Sequence, residues 1–176
     1  MTRPRPAVAV FGANDPRPGD EAYELARGVG RKLAELGRVV VNGGYGGTME
    51  ASARGAKEAG GATVGVTCGV WRSRANEFID EAIVTSSLPE RIGKLIELGT
   101  GGYVVLPGAT GTLAEFAWVW ELASKGLLGG PARPIVCMTD FWRPLVEMMV
   151  AQRPASADHI AFAAAPAELV STFGGR

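Results

Sequence analysis

The 176-residue chain has one histidine, His159, and two cysteines, Cys68 and Cys137, which lie far apart in apolar surroundings. With no CxxC and no second histidine, neither a disulfide framework nor a zinc site is indicated, and no metal is expected. An excess of one charge is also missing. Lys plus Arg total 18 and Asp plus Glu total 18, which cancel without any block of like charges. Nucleic-acid surfaces show basic clustering, so nucleic acid is not an expected partner. No apolar run approaches the ~18 residues that span a bilayer. The run AVAVF before Gly12 is too short for the core of a signal peptide. A cytoplasmic protein without a membrane partner is expected. Neither Gly-Lys-Ser/Thr nor a clean GxGxxG occurs, so the NTPase phosphate loop and the dinucleotide fingerprint are not the first readings, and no cofactor is expected.

What the chain does have is apolar residues, 47% of the total, and 25 glycines. That length and content suit one compact domain, residues 1–176. Short β-branched runs at 7–12, 38–44, 62–69, 81–86, 102–108 and 133–140 read as strands buried on both faces. Between them lie helical patterns at 20–36, 48–59, 88–98, 112–127 and 141–152. In the first, Ala22, Leu25, Ala26, Val29, Leu33 and Leu36 form one stripe, with Asp20 as N-cap and Gly37 closing the end. Strand and helix thus alternate from end to end, which predicts an α/β fold: a single-domain, Rossmann-like, doubly wound parallel sheet. Its core is expected at about 7–150. The Ala- and Pro-rich tail, 154–176, is expected to add one short helix at PAELVSTF.

In such sheets ligands bind beyond the carboxyl ends of the strands. Three glycine-bearing turns fall there: GANDPRPGD (12–20), NGGYGGTMEA (42–51) and PGATGTLAE (107–115). Glycine brings backbone N–H groups close to a ligand, and the following helix dipole favours an anion, so phosphate is the natural guest. The candidate phosphate contacts are Gly12, Asn14, Gly43, Gly44, Gly46, Gly47, Thr48, Gly108, Ala109, Thr110, Gly111 and Thr112. The last two turns each continue into a threonine (Thr48, Thr112) and a carboxylate (Glu50, Glu115). Asn14-Asp15-Pro16 is equally a common turn former. His159, without a partner group nearby in sequence, reads as solvated or capping.

PGATGTLAE at 107–115 resembles the PGGxGTxxE motif of the LOG family, the cytokinin riboside 5′-monophosphate phosphoribohydrolases once described as lysine decarboxylases. GGYGGTMEASARGAKEAGG at 43–61 resembles the glycine loop and helix of the same superfamily, in particular its branch of short members related to molybdenum-cofactor-carrier-like proteins. The similarity runs from about residue 7 to 150. The family's second motif, an Arg-Lys pair within a pattern like MHERKxxM, is similar to SSLPERIGKLIEL here. Arg91 falls on the arginine, Glu90 precedes it, Ile92 replaces the lysine, and Lys94 shares a helix face with Arg91. Ala109 stands at the motif's second glycine, a change tolerated at negative φ and costly at positive φ. Tyr45 interrupts the first glycine loop.

The resemblance implies cleavage of the N-glycosidic bond of a nucleoside 5′-monophosphate, giving free base and ribose 5-phosphate. Breaking that bond builds positive charge on ribose, which calls for a carboxylate near C1′ and an attacking water. Glu115, one turn inside a helix whose N-terminus would hold phosphate, and Arg91, with its planar fork for phosphate or base, are the candidate catalytic residues. The plainer readings are a dipole-favoured Glu115 and a surface Arg91 paired with Glu90 or Glu97. A non-catalytic carrier of a nucleotide or phosphate-bearing cofactor is the alternative, and a nucleotide-sensing module a third. Phe116, Trp118 and Trp120 are too closely spaced for one helix face, which points an aromatic outward toward a partner subunit. A homodimer or higher even homo-oligomer is therefore expected.

Overall fold

A computed structural model describes residues 5–71, 73–131 and 133–175. Seven parallel strands form one sheet in the order β4-β3-β2-β1-β5-β6-β7. They are β1 (Ala7–Phe11), β2 (Val39–Asn42), β3 (Thr63–Cys68), β4 (Glu81–Thr85), β5 (Gly102–Val105), β6 (Ile135–Met138) and β7 (Ile160–Ala163). The helices are α1 (Glu21–Glu35), α2 (Thr48–Glu58), α3 (Leu88–Leu98), α4 (Thr110–Ser124), α5 (Arg143–Gln152) and α6 (Leu169–Phe173). The chain winds outward from β1 to β4, then crosses back to place β5 on the other side of β1, in register from Val8 opposite Gly102 to Phe11 opposite Val105. This is the expected doubly wound α/β architecture.

Side-chain alternation along the strands builds two apolar layers, one on each face. Val8 and Val10 of β1 join Val104, Val136 and Met138 beneath α1, α2 and α6, where Tyr23, Val29, Leu33, Leu169 and Phe173 close the layer. Ala9 and Phe11 point the other way, with Tyr103, Val105 and Cys137, beneath α3, α4 and α5 and their side chains Leu95, Phe116, Trp120 and Val146. Asp20 stands at the N-cap of α1 but makes no side-chain cap bond; its carboxylate instead accepts from Arg17 N–H at 2.7 Å. Gly37, at φ 72°, closes the helix as expected.

Three expectations need correction. The alternation breaks after β3: residues 69–80 reach β4 through turns and extended chain, with no helix among the described residues. β4 is not buried on both faces. It is an edge strand with Glu81, Ala82 and Val84 exposed, so its apolar composition reflects strand propensity more than core burial. The tail does more than carry a short helix. It supplies β7, paired with β6 from Ile135–Ile160 to Met138–Ala163, and α6, whose Leu169 and Phe173 are fully buried.

Candidate functional site

The winding reverses between β1 and β5, and a crevice beyond the carboxyl ends of these strands is the physical consequence. A cleft of about 600 Å³ lies there. It is lined by Gly12–Asp15 after β1, Tyr45, Gly46 and Met49 after β2, Trp71, Ser73, Arg74 and Asn76 after β3, Ala109, Gly111, Thr112 and Glu115 around the start of α4, and Arg91 of α3. The glycine turns converge because β3, β2, β1 and β5 are successive neighbours. Three inter-strand spacings of ~4.8 Å make the cleft about 14 Å across the strand ends.

At its floor Arg91 and Glu115 meet. Arg91 Nη1 lies 3.3 Å from Glu115 Oε1, with the residues only 6% and 7% exposed. Arg91 is therefore not a surface arginine paired with Glu90 or Glu97. Glu90 instead turns back to accept from Ser86 N–H and Oγ at 2.8 and 2.6 Å, and Glu97 takes Lys94 at 2.7 Å. Arg91 is seated from three further sides. Its Nε donates to Val66 O at 2.8 Å, its Nη2 to Gly43 O at 3.2 Å, and its guanidinium lies over the rings of Tyr45 and Trp71 at 5.6 and 5.8 Å. Gly43 is needed for this seat, because a Cβ there would overlap Arg91 Nη2 and Met49 Sδ. Burial pushes the Glu115 carboxyl up to about 7, against the opposing pull of the Arg91 charge and hydrogen bond. The net direction is upward because desolvation of the carboxylate outweighs one ion pair.

The phosphate candidates separate into two groups. At α4, Ala109 N-caps the helix with φ −100°, so alanine replaces the motif's glycine without backbone strain. The first bond back along the helix is Leu113 N–H to Ala109 O. The N–H groups of Thr110, Gly111 and Thr112 thus have no partner within the helix and are available to an anion. Gly108 lies behind them, packed against the Thr112 side chain.

The α2 terminus is different. Thr48 N–H and Oγ1 both donate to Ala13 O, at 2.8 and 3.0 Å, so part of that helix end is taken by the chain itself. Gly47, at φ 64°, is packed against Ala13 and Asn14, and Gly44 N–H donates to Asn42 Oδ1 at 2.8 Å. Gly43, Gly44, Gly47, Thr48, Gly108 and Thr110 do not line the cleft among the described residues; Gly12, Asn14, Gly46, Ala109, Gly111 and Thr112 do. Glu50, parallel to Glu115 in sequence, accepts from Tyr23 at 2.8 Å on the α1 side and is no site residue. Ile92 packs into the apolar layer under α3.

Sequence reasoning missed the aromatic wall. Tyr45 Oη accepts from Cys68 N–H at 2.8 Å and donates to Cys68 O at 3.2 Å, and Asn76 Nδ2 donates to Tyr45 O and Gly44 O. Trp71 stands at 83° to Tyr45 with ring centroids 5.8 Å apart. The available signal was the irregular stretch 69–80, long for an α/β connection and carrying Trp71 and Arg74. Both cysteines are buried and free, and burial pushes the Cys137 thiol up to about 12. Among the described residues, no cluster of ligands for a metal occurs, and no helix is long and apolar enough to cross a membrane.

The sequence profile of the SLOG cluster4 family matches residues 5–169. The chain is 40% identical over 138 residues to the cytokinin riboside 5′-monophosphate phosphoribohydrolase of Mycobacterium tuberculosis, an alignment covering 77% of this chain and 71% of that one. Among solved structures it is similar to the molybdenum cofactor binding protein of Rippkaea orientalis, with a TM-score of 0.78, 23% identity, and 97% and 96% of the two chains covered. The Moco carrier protein of Chlamydomonas reinhardtii superposes with a TM-score of 0.72 at 25% identity, over 96% and 95% of the chains.

Proposed function

The chain belongs to the SLOG cluster4 family, and from that premise we propose that it is a nucleoside 5′-monophosphate phosphoribohydrolase. In this reading it hydrolyses AMP-like or cytokinin riboside monophosphates to free base and ribose 5-phosphate. The curated relatives named for that activity support the reaction class. The observation that carries it for this chain is the buried Arg91–Glu115 pair on the cleft floor, beside the open N-terminus of α4.

Phosphate on the α4 N–H groups sets ribose over Glu115. As C1′–N breaks, its electron pair leaves with the base, which takes a proton from solvent. The Glu115 carboxylate stabilises the positive charge on ribose and receives a proton from the water whose oxygen bonds to C1′. Arg91 holds Glu115 toward its ionised form and keeps it aimed.

Incubation with AMP followed by chromatography for adenine tests the reading. Adenine and ribose 5-phosphate in equal amounts are expected. A protein that binds AMP yet frees no base from any monophosphate tried is instead a carrier of a nucleotide or phosphate-bearing cofactor. One observation favours that second reading: Ile92 is buried in the apolar layer, so no charge replaces the family lysine at that position.

A further inference from the structure

We propose that the open side of Trp71 is the seat of the base, and that it selects planar two-ring bases over single rings and over bare sugar phosphates. The proposal rests on the nucleotide-binding reading above but not on turnover. The two ends of the cleft differ in chemistry. One, after β5, offers the unpartnered N–H groups of α4, suited to phosphate; the other, after β2 and β3, is the wall of Tyr45 and Trp71, against which the Arg91 guanidinium packs while it reaches Glu115 of α4. A nucleotide whose phosphate sits on α4 and whose C1′ lies over Glu115 has to extend its base toward the aromatic end.

Trp71 is suited to receive it. Its ring lines the cleft and has the Arg91 guanidinium and Tyr45 beside it, yet it remains 45% exposed. A large aromatic left open inside a cleft gains by covering its remaining surface, and a wider ring system covers more of it. The wall is also preformed. Tyr45 is fixed at its hydroxyl by both backbone groups of Cys68, Trp71 N–H donates to Cys68 O at 3.1 Å, and Asn76 ties the same loop to Gly44 and Tyr45. Stacking on such a surface costs little ordering entropy.

The test is calorimetric titration with ligands that cannot turn over: formycin 5′-monophosphate, a two-ring C-nucleotide; pseudouridine 5′-monophosphate, its single-ring counterpart; and ribose 5-phosphate. Wild type should bind the first most tightly. Trp71→Leu should weaken formycin 5′-monophosphate about tenfold, the scale of one stacked base, and leave ribose 5-phosphate within about twofold. Trp71→Phe should recover most of the loss. Equal wild-type affinity for all three ligands, unchanged formycin binding in Trp71→Leu, or an equal loss across all three overturns the assignment. Base-dependent binding by a protein that frees no adenine from AMP would defeat the phosphoribohydrolase reading and leave this one standing.

Discussion

Arg91 and Glu115 come from helices α3 and α4 and meet at 3.3 Å between Nη1 and Oε1, where both side chains are almost wholly buried. Breaking such a pair leaves the survivor as an uncompensated buried group, so a purely structural pair and a catalytic one both punish truncation. Substitutions that preserve shape separate them.

Glu115→Gln keeps the outline of the site and an acceptor for Arg91 but removes the charge. In adenine-release assays kcat should fall ~10²–10⁴-fold while AMP affinity stays within a few fold. Arg91→Lys keeps a positive charge but not the planar fork that aims Glu115, so kcat should fall with AMP affinity again within a few fold. Full turnover in Glu115→Gln would remove Glu115 from the chemistry.

The same carboxyl ties activity and stability to pH in opposite senses. The proposed reaction uses its ionised form and burial raises its pKa to about 7, so kcat should rise with pH through that value. For stability, a folded-state pKa above the ordinary 4.5 means a contribution fully present below pH 4.5 and lost as pH climbs through 7. Glu58 acts in a separate, lower window. Arg27, with Arg31 and Arg54, holds it near 2, so its contribution persists above 4.5 and fades only on acidification. Melting temperatures of wild type and Glu115→Gln measured from pH 5 to 8 should therefore diverge progressively in favour of the variant. A constant offset would contradict the assignment.

Nucleoside monophosphates should raise the melting temperature clearly more than the matching nucleosides, because the free N–H groups of Gly111 and Thr112 at the cleft are placed to act on phosphate. Equal shifts in a thermal-unfolding series would take the anion away from α4.

Assembly follows from α4. Phe116 and Trp120 stack inside the apolar layer at 5.3 Å, whereas Trp118 between them is 41% exposed. A homodimer or higher even oligomer with this helix at or near its interface should appear in light scattering at micromolar concentration, and Trp118→Glu should shift it toward monomer.

The sheet was readable from the sequence because its strands are short β-branched runs, and Arg91 and Glu115 were singled out by the resemblance of their stretches to the LOG-family motifs. β7 was not readable. IAFA has no β-branched residue besides Ile160 and is followed by alanines, and only pairing with β6 makes it a strand. The partner of Arg91 could not be read either, since Glu115 lies 24 positions away and Glu90 and Glu97 are nearer in sequence. Nor could sequence tell the two glycine-turn helices apart. The α2 terminus differs from α4 because Ala13 O, from another turn, takes up the Thr48 donors.

The direct crossing from β3 to β4 has a consequence for how this scaffold could diversify. Among the described residues from 70 to 75, none belongs to either apolar layer, while Asn76 and the strand ends fasten the segment on both sides. Its composition is thus uncoupled from the packing that keeps the protein folded. New side chains there would alter what the cleft accepts without repacking the sheet, making this strap the natural place to graft a different ligand preference onto an unchanged floor of Arg91 and Glu115.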